Sequence, residues 1–279
     1  MTARADAALA AASRDWHVIP LRPNVKPPAF PNHTEDTCHR DDPWCQNGHT
    51  GWEQRATTDT DRIRRGWARR AYGVGIATGP SRLIVIDLDV PKPGEQLPPE
   101  WQLPGVADGH DVLAILCERA GEPLPLDTYT VATPSGGTHL YYWHPVTGPQ
   151  LRNTTGGNPG SLGPEIDTRA HGGYVVAAGT TIDGRAYRVV HDVDPAPLPT
   201  WLAERLTPRP LPPQQPVHID LPPDRRGRYL TAAINRQLSH ITTAGEGGRN
   251  TALYRSAVAL GQLTAGGTIN EDDVRQLLT

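Results

Sequence analysis

Asp87-Leu88-Asp89 sits near the end of the apolar run 83–90, LIVIDLDV. Side chains two apart in a strand share a face, so both carboxylates point the same way from a segment that otherwise reads as buried. Like charges held together are costly unless a cation or strong hydrogen bonds compensate them. Hard divalent ions such as Mg²⁺ or Mn²⁺ bind such oxygens, and a pair of them can activate a hydroxyl and stabilise a leaving phosphate. The alternative is a strand-end turn whose acids face water. Two further segments bear on the choice. Thr133-Pro134-Ser135-Gly136-Gly137-Thr138-His139 is a glycine turn whose N–H groups could approach phosphate oxygens, with a histidine donor beside them; it also reads as an ordinary hairpin turn. Glu165-Ile166-Asp167-Thr168-Arg169 offers Asp167 as a third metal ligand from a neighbouring strand. Glu165 and Arg169, on its face by alternation, could pair with it, and an acid merely paired with arginine is the competing reading.

A fourth group lies in residues 22–51, which are rich in proline, cysteine and histidine and show no period of 2 or 3.6. His33, Cys38, Cys45 and His49 supply two thiolates and two imidazoles at separations that a tetrahedral Zn²⁺ could close, and a structural zinc would stiffen a stretch with little core. His39 competes as a ligand, the spacing matches no standard finger, and two free cysteines in a loop remain the alternative. Cys117, on an apolar helical face, reads as core.

The elements that must carry these groups alternate between helix and strand grammar. Residues 2–14 and 108–120 read as helices, as does the segment from Thr58 or Asp59 to about Arg70. Strands are expected at 16–21, ended by Pro20 and Pro23, and at 73–77, 83–90, 128–132, 139–143, 166–169, 173–177 and 187–190. A few helices among many short strands predict an α+β domain, residues 1–206, with a largely antiparallel sheet and a possible zinc-binding insertion at 30–51. Residues 207–224 read as a stiff proline-rich linker. Residues 225–279 then read as a small all-α domain, with helices at 225–241, 249–264 and 270–278 and seven arginines against Glu246, Glu271, Asp272 and Asp273. The last pattern stops in midstream, and further chain is expected beyond it.

With 279 residues, a net charge of -3, 20% charged and 37% hydrophobic residues, the chain fits neither a membrane protein nor a disordered one, and it is not a generally basic nucleic-acid coat. Local basic patches remain open. The alanine-rich start lacks the apolar run of a signal peptide, and three cysteines make no disulfide framework, so a cytoplasmic location with no membrane partner is expected.

Taken in order, Trp16-His17-Val18-Ile19-Pro20-Leu21 with Lys26-Pro27-Pro28, Gly75-Ile76-Ala77-Thr78-Gly79-Pro80, Val85-Ile86-Asp87-Leu88-Asp89, Ser135-Gly136-Gly137 with His139-Leu140-Tyr141-Tyr142, Ile166-Asp167 and Gly172-Gly173-Tyr174-Val175-Val176 resemble the bifunctional primase/polymerase domains of plasmid and phage replication proteins, in the archaeo-eukaryotic primase superfamily. The resemblance covers roughly residues 7–206. It implies a catalytic sheet of RNA-recognition-motif type packed with an N-terminal αβ unit, and template-dependent joining of nucleoside triphosphates to a 3′-hydroxyl. Asp87, Asp89 and Asp167 would hold two Mg²⁺ or Mn²⁺ ions. His139 and the turn Ser135, Gly136, Gly137 would contact the triphosphate, with Lys26 and Arg169 as further phosphate contacts. This chain has Ala170 where the family often shows glycine, which bears on the loop before Gly172. Some relatives carry a zinc-binding insertion. The tail resembles the helical bundle that follows such domains, and implies a grip on single-stranded DNA template, primer or initiating nucleotides through Arg225, Arg226, Arg228, Arg249 or Arg255, with a helicase portion expected in the full-length protein. A plain solvated face is the alternative for those arginines.

Two rivals come from other classes. A rolling-circle nicking endonuclease wants a His-hydrophobe-His pair, and His139-Leu140-Tyr141-Tyr142 lacks the second histidine. A non-catalytic DNA-binding initiator module would make the acids structural.

Overall fold

The computed structural model describes residues 2–208, 215–218, 220, 223–245 and 249–278, without the side chains of 223, 224, 226, 249–251, 277 and 278. The chain divides into two compact units, one through Pro208 and one from Arg209. Most of the expected 207–224 linker lies outside the described residues.

The first unit is α+β and built on two antiparallel sheets. Helix α1 (Ala3–Ser13) opens under the Thr2 side chain, which accepts from the Ala5 N–H, and buries Ala5, Ala8, Ala11 and Ala12. Strand β1 (Val18–Leu21) follows, then α2 (Thr60–Arg69), capped by the Asp59 carboxylate, then β2 (Gly73–Ala77). With β7 (Tyr174–Val176) these strands form a small sheet in the order β1-β2-β7. A Cβ on Gly75 would lie 2.8 Å from Ile19 and 2.9 Å from Leu21, so glycine lets the β1 side chains fold over β2. Pro20 does not end β1: the strand is at the sheet edge, where a missing N–H donor is tolerated.

The larger sheet contains β3 (Leu83–Leu88), β4 (Thr130–Ala132), β5 (Thr138–Trp143), β6 (Ile166–Arg169) and β10 (Arg188–His191), in the order β10-β4-β5-β3-β6. Helix α3 (Gly109–Ala120), with Asp108 as N-cap, joins β3 to β4. A two-residue hairpin pair, β8 (Thr181–Ile182) and β9 (Arg185–Ala186), precedes β10. Beyond β4, the short β11 (Ala196–Pro197) pairs parallel with β5, and α4 (Thr200–Leu206) closes the unit.

Strand β3 is buried on both faces, and its alternation sorts two cores. Leu83 and Val85 join Trp16, Ile76, Val131 and Tyr141 in the core toward the small sheet. Ile84, Ile86 and Leu88 pack instead with Leu113, Leu116, Cys117 and Ile166 under α3. Asp87 continues the first series, so a carboxyl occupies the next position on the face turned to the small sheet.

In the second unit α5 (Pro223–Thr242), α6 (Arg249–Ala265) and α7 (Glu271–Leu278) gather around Leu260, Leu263 and Val274, against which Leu230 and Ile234 pack.

Candidate active site

Register brings three of the expected residues into one row. Asp87 on β3 stands opposite His139 on β5 and, on the other side, opposite Asp167 on β6. Directly opposed residues of an antiparallel ladder have side chains within contact range on one face. Asp89 lies just past the end of β3, which stops at Leu88 rather than reaching residue 90. The backbone anchors it there: its N–H donates to the Glu165 carbonyl at 2.8 Å, and its own carbonyl accepts from the Gly109 N–H at 2.9 Å. The first turn of α3 can close on this point because residue 109 is glycine; a Cβ there would run into the Glu165 carbonyl oxygen.

The row opens into a cleft of about 360 Å³ between the two sheets, lined by Lys26, Trp52, Asp87, His139, Asn153, Arg169, Gly172, Gly173 and β7, with Tyr187 at its side. Arg169 Nη2 donates to Asp167 Oδ2 at 2.7 Å and the Gly156 N–H donates to Oδ1 at 2.7 Å, so both Asp167 oxygens are engaged. Asp87 Oδ1 is buried without a hydrogen-bond partner. Burial pushes the Asp87 carboxyl from 3.8 up to about 6, with Asp167 adding to the rise and Arg169 and Lys26 opposing it. Asp89 is raised to about 6 as well, by burial first and then by the charges of Asp87 and Asp167. His139 is driven down to about 3 by burial, helped by Lys26 and Arg169. Its Nε2 lies 3.4 Å from Asp87 Oδ1, which makes the contact a neutral imidazole beside a carboxyl rather than an ion pair.

The glycine turn touches this site at its end, not in the cleft. Gly136 has φ +97, and a Cβ on Gly137 would strike the Leu88 carbonyl oxygen, so the turn nestles against the backbone that leads into Asp89. Ser135 is exposed and its hydroxyl lies 3.0 Å from that of Thr133. Glu165 does not share the Asp167 strand face; it precedes β6 with φ +54, and burial raises its carboxyl. Ala170 is fully buried and the loop turns at Gly172, φ +80, so alanine is accommodated there.

His33, Cys38, Cys45 and His49 do converge: one ligating atom from each lies within 4.8 Å of the others. Cys45 is buried in the turn Pro43–Cys45, and its sulfur accepts from the Thr50 N–H at 3.4 Å and from Arg55 Nη2 at 3.2 Å. Donors aimed at sulfur suit a thiolate. His39 is exposed and outside the cluster. In the second unit Arg225, Arg228 and Arg255 are exposed, whereas the side chains of Arg226 and Arg249 lie outside the described residues.

Several lining residues carry no sequence signal. Asn153 donates to the Gly172 carbonyl at 3.2 Å and accepts from the Ala170 N–H at 2.8 Å, holding the loop beside Arg169. It sits in an aperiodic polar loop. Trp52 follows the histidine-cysteine segment, where no periodicity sets it apart from the loop.

Among the described residues no helix is long and apolar enough to cross a membrane. No curated protein matches the chain. The Prim-Pol family, described as the N-terminal domain of bifunctional DNA primase/polymerases, matches residues 8–201, and with well over half its length so matched the chain belongs to that family of primase/polymerase nucleotidyltransferases.

Proposed function

We propose that this chain is a template-dependent primase and DNA polymerase that joins nucleotides to a 3′-hydroxyl in the replication of a plasmid or phage-like element. The observation that carries the reading is the row Asp167, Asp87, His139 across three strands, of which Asp87 and His139 line a cleft together with Lys26 and Arg169. On this reading the larger sheet is the catalytic sheet of RNA-recognition-motif type, residues 1–206 are the catalytic domain, 207–224 a linker and 225–279 a helical bundle.

Asp87, Asp89 and Asp167 would hold Mg²⁺ or Mn²⁺. The fit lies in the donor set: three carboxyls at one strand end, two of them raised to about 6, and a buried Asp87 oxygen with no hydrogen-bond partner. When bound, such ions supply a lowered pKa for the attacking hydroxyl and neutralise the triphosphate. The chain's own groups do the rest. Arg169 orients the Asp167 carboxylate and, with Lys26, adds positive charge for phosphate oxygens. His139, neutral at physiological pH, offers a hydrogen bond to the triphosphate. The Ser135, Gly136, Gly137 turn packs against the backbone leading into Asp89 and would meet the triphosphate at the same end of the sheet.

His33, Cys38, Cys45 and His49 would bind a structural Zn²⁺ that rigidifies residues 30–51. Arg225, Arg226, Arg228, Arg249 and Arg255 of the bundle would contact single-stranded template or primer phosphates. A helicase portion in the full-length protein belongs to the same reading.

The test is incorporation of labelled nucleotide on single-stranded template, with and without a primer, in Mg²⁺ and in Mn²⁺. Product from the wild type that vanishes in Asp87→Ala plus Asp89→Ala is expected. A folded wild type that binds DNA and incorporates nothing would make it an initiator module with structural acids.

A further inference from the structure

A second groove, of about 560 Å³, runs between the Pro43–Cys45 turn, β1 and α2. Its α2 wall is basic by periodicity. Arg62, Arg65 and Arg69 stand at i, i+3 and i+7, on one helical face, and all three line the groove. Gly66, at i+4 on that face, leaves the space beside them open: nothing lies within 4 Å of where its Cβ would be. Arg65 and Arg69 are exposed and make no ion pair or hydrogen bond among the described residues, whereas Arg64, off this face, is paired with Asp61 at 3.2 Å. Among the described residues the acid lining the groove is Asp42, and it is paired with Arg55 at 2.7 Å.

The opposite wall is aromatic. Trp44 is 47% exposed and Phe30 44%, unusual for rings of this size on a folded surface. Trp44 is not loose: the Arg62 guanidinium lies 4.5 Å from its ring centre, and the adjacent Cys45 is fixed by Thr50 and Arg55. An indole backed by a guanidinium and open to solvent is a stacking platform. Trp52 lines this groove and also the Asp87 cleft, so the two share a wall at this ring.

Unpaired cations in a row, open aromatic rings opposite and a wall shared with the catalytic cleft match the chemistry of single-stranded nucleic acid, whose bases stack and whose phosphates need neutralising. The geometry points to this groove as the channel that carries single-stranded DNA template to the cleft, with bases stacked on Trp44 and Phe30, phosphates on Arg65 and Arg69, and Trp52 at the threshold. The role as template channel rests on the polymerase reading; the binding of single-stranded DNA does not.

The test is fluorescence anisotropy of a labelled oligothymidylate with the full chain over a salt series. Removing one stacking ring by Trp44→Ala should weaken binding about tenfold, and Trp44→Phe should restore most of it. Arg65→Gln plus Arg69→Gln, both exposed and so safe for folding, should lower the slope of log affinity against log salt by about 1.4, at about 0.7 per phosphate of a single strand. Wild-type affinity and slope in both groove variants would overturn the inference, and would leave the polymerase standing if the wild type still incorporates nucleotide. Groove-dependent binding by a wild type that incorporates nothing would instead sink the polymerase reading and keep the groove.

Discussion

Asp87 and Asp167 face each other across the β3–β6 ladder with opposite hydrogen-bonding states. Asp167 has one oxygen on Arg169 and the other on the Gly156 N–H, each at 2.7 Å, while Asp87 keeps a buried oxygen without a partner. Two acids on one face are thus stabilised unequally. One has both oxygens hydrogen-bonded by its surroundings, and the other is left needing a cation.

That inequality predicts mutations of opposite sign at two adjacent ladder positions. Asp167→Asn removes a charge-assisted bond and strands Arg169, and should cost about 1–2 kcal/mol. Asp87→Asn removes a buried charge that the metal-free fold disfavours, and should raise the melting temperature at neutral pH. Thermal melts in chelator, comparing both variants with the wild type, check this; a lower melting temperature for both would show that Asp87 has a protein partner after all.

Gly137→Ala should damage the site without touching a charged group. The added methyl meets the Leu88 carbonyl and sits 3.2 Å from Thr133 Oγ1, and the backbone cannot yield without moving Asp89. Overpacking of this kind costs about 1–3 kcal/mol. Gly66→Ala on α2 supplies the contrast, since its methyl enters open space and a helix gains about 0.5–1 kcal/mol from alanine over glycine. Calorimetric melts should therefore move in opposite directions, with nucleotide incorporation falling in Gly137→Ala.

The histidine-cysteine cluster should bring about one zinc per chain by elemental analysis, lost in Cys38→Ser plus Cys45→Ser. Arg55 bonds the Cys45 sulfur, Asp42 and the Thr50 carbonyl together. Arg55→Gln should accordingly weaken zinc retention about 10–100-fold in chelator competition, as loss of an outer-shell partner does. A folded wild type without zinc would refute the site.

Much of this was legible where chemistry and periodicity coincide. The run LIVIDL reads as a strand buried on both faces with Asp87 at its end, and Ile166–Arg169 has the bounds its pattern suggests. The Asp59 cap and the arginine-rich α2 follow from local propensity. Pairing is another matter. The row from Asp167 through Asp87 to His139 depends on β3 lying between two strands that come later in the chain, and no local pattern encodes that order. The small sheet recruits β7 from almost a hundred residues after β2, which sets Tyr174 and Trp52 beside the cleft. Strand β11 and helix α4 are too short for their periods to register. Trp52, Arg55 and Asn153 act from loops, where hydrogen bonds rather than periodicity fix the chain.

The raised carboxyls give a pH dependence with a definite sign. Asp87 and Asp89 both move from 3.8 to about 6, so the metal-free folded state holds its protons more tightly than the unfolded chain does. Stability linked to these groups is then fully present below about pH 4 and is lost as pH rises through about 6, the reverse of a salt-bridged acid. In chelator this contribution to the melting temperature should fall between about pH 4 and pH 6, and Asp87→Asn plus Asp89→Asn should flatten that fall. Adding Mg²⁺ or Mn²⁺ favours the ionised carboxyls, so it should restore stability at the high-pH end and hardly act at the low one. Incorporation should rise over the same interval, because protonated acids bind these ions poorly. A double variant whose melting profile matches the wild type throughout would show that neither carboxyl titrates in this range.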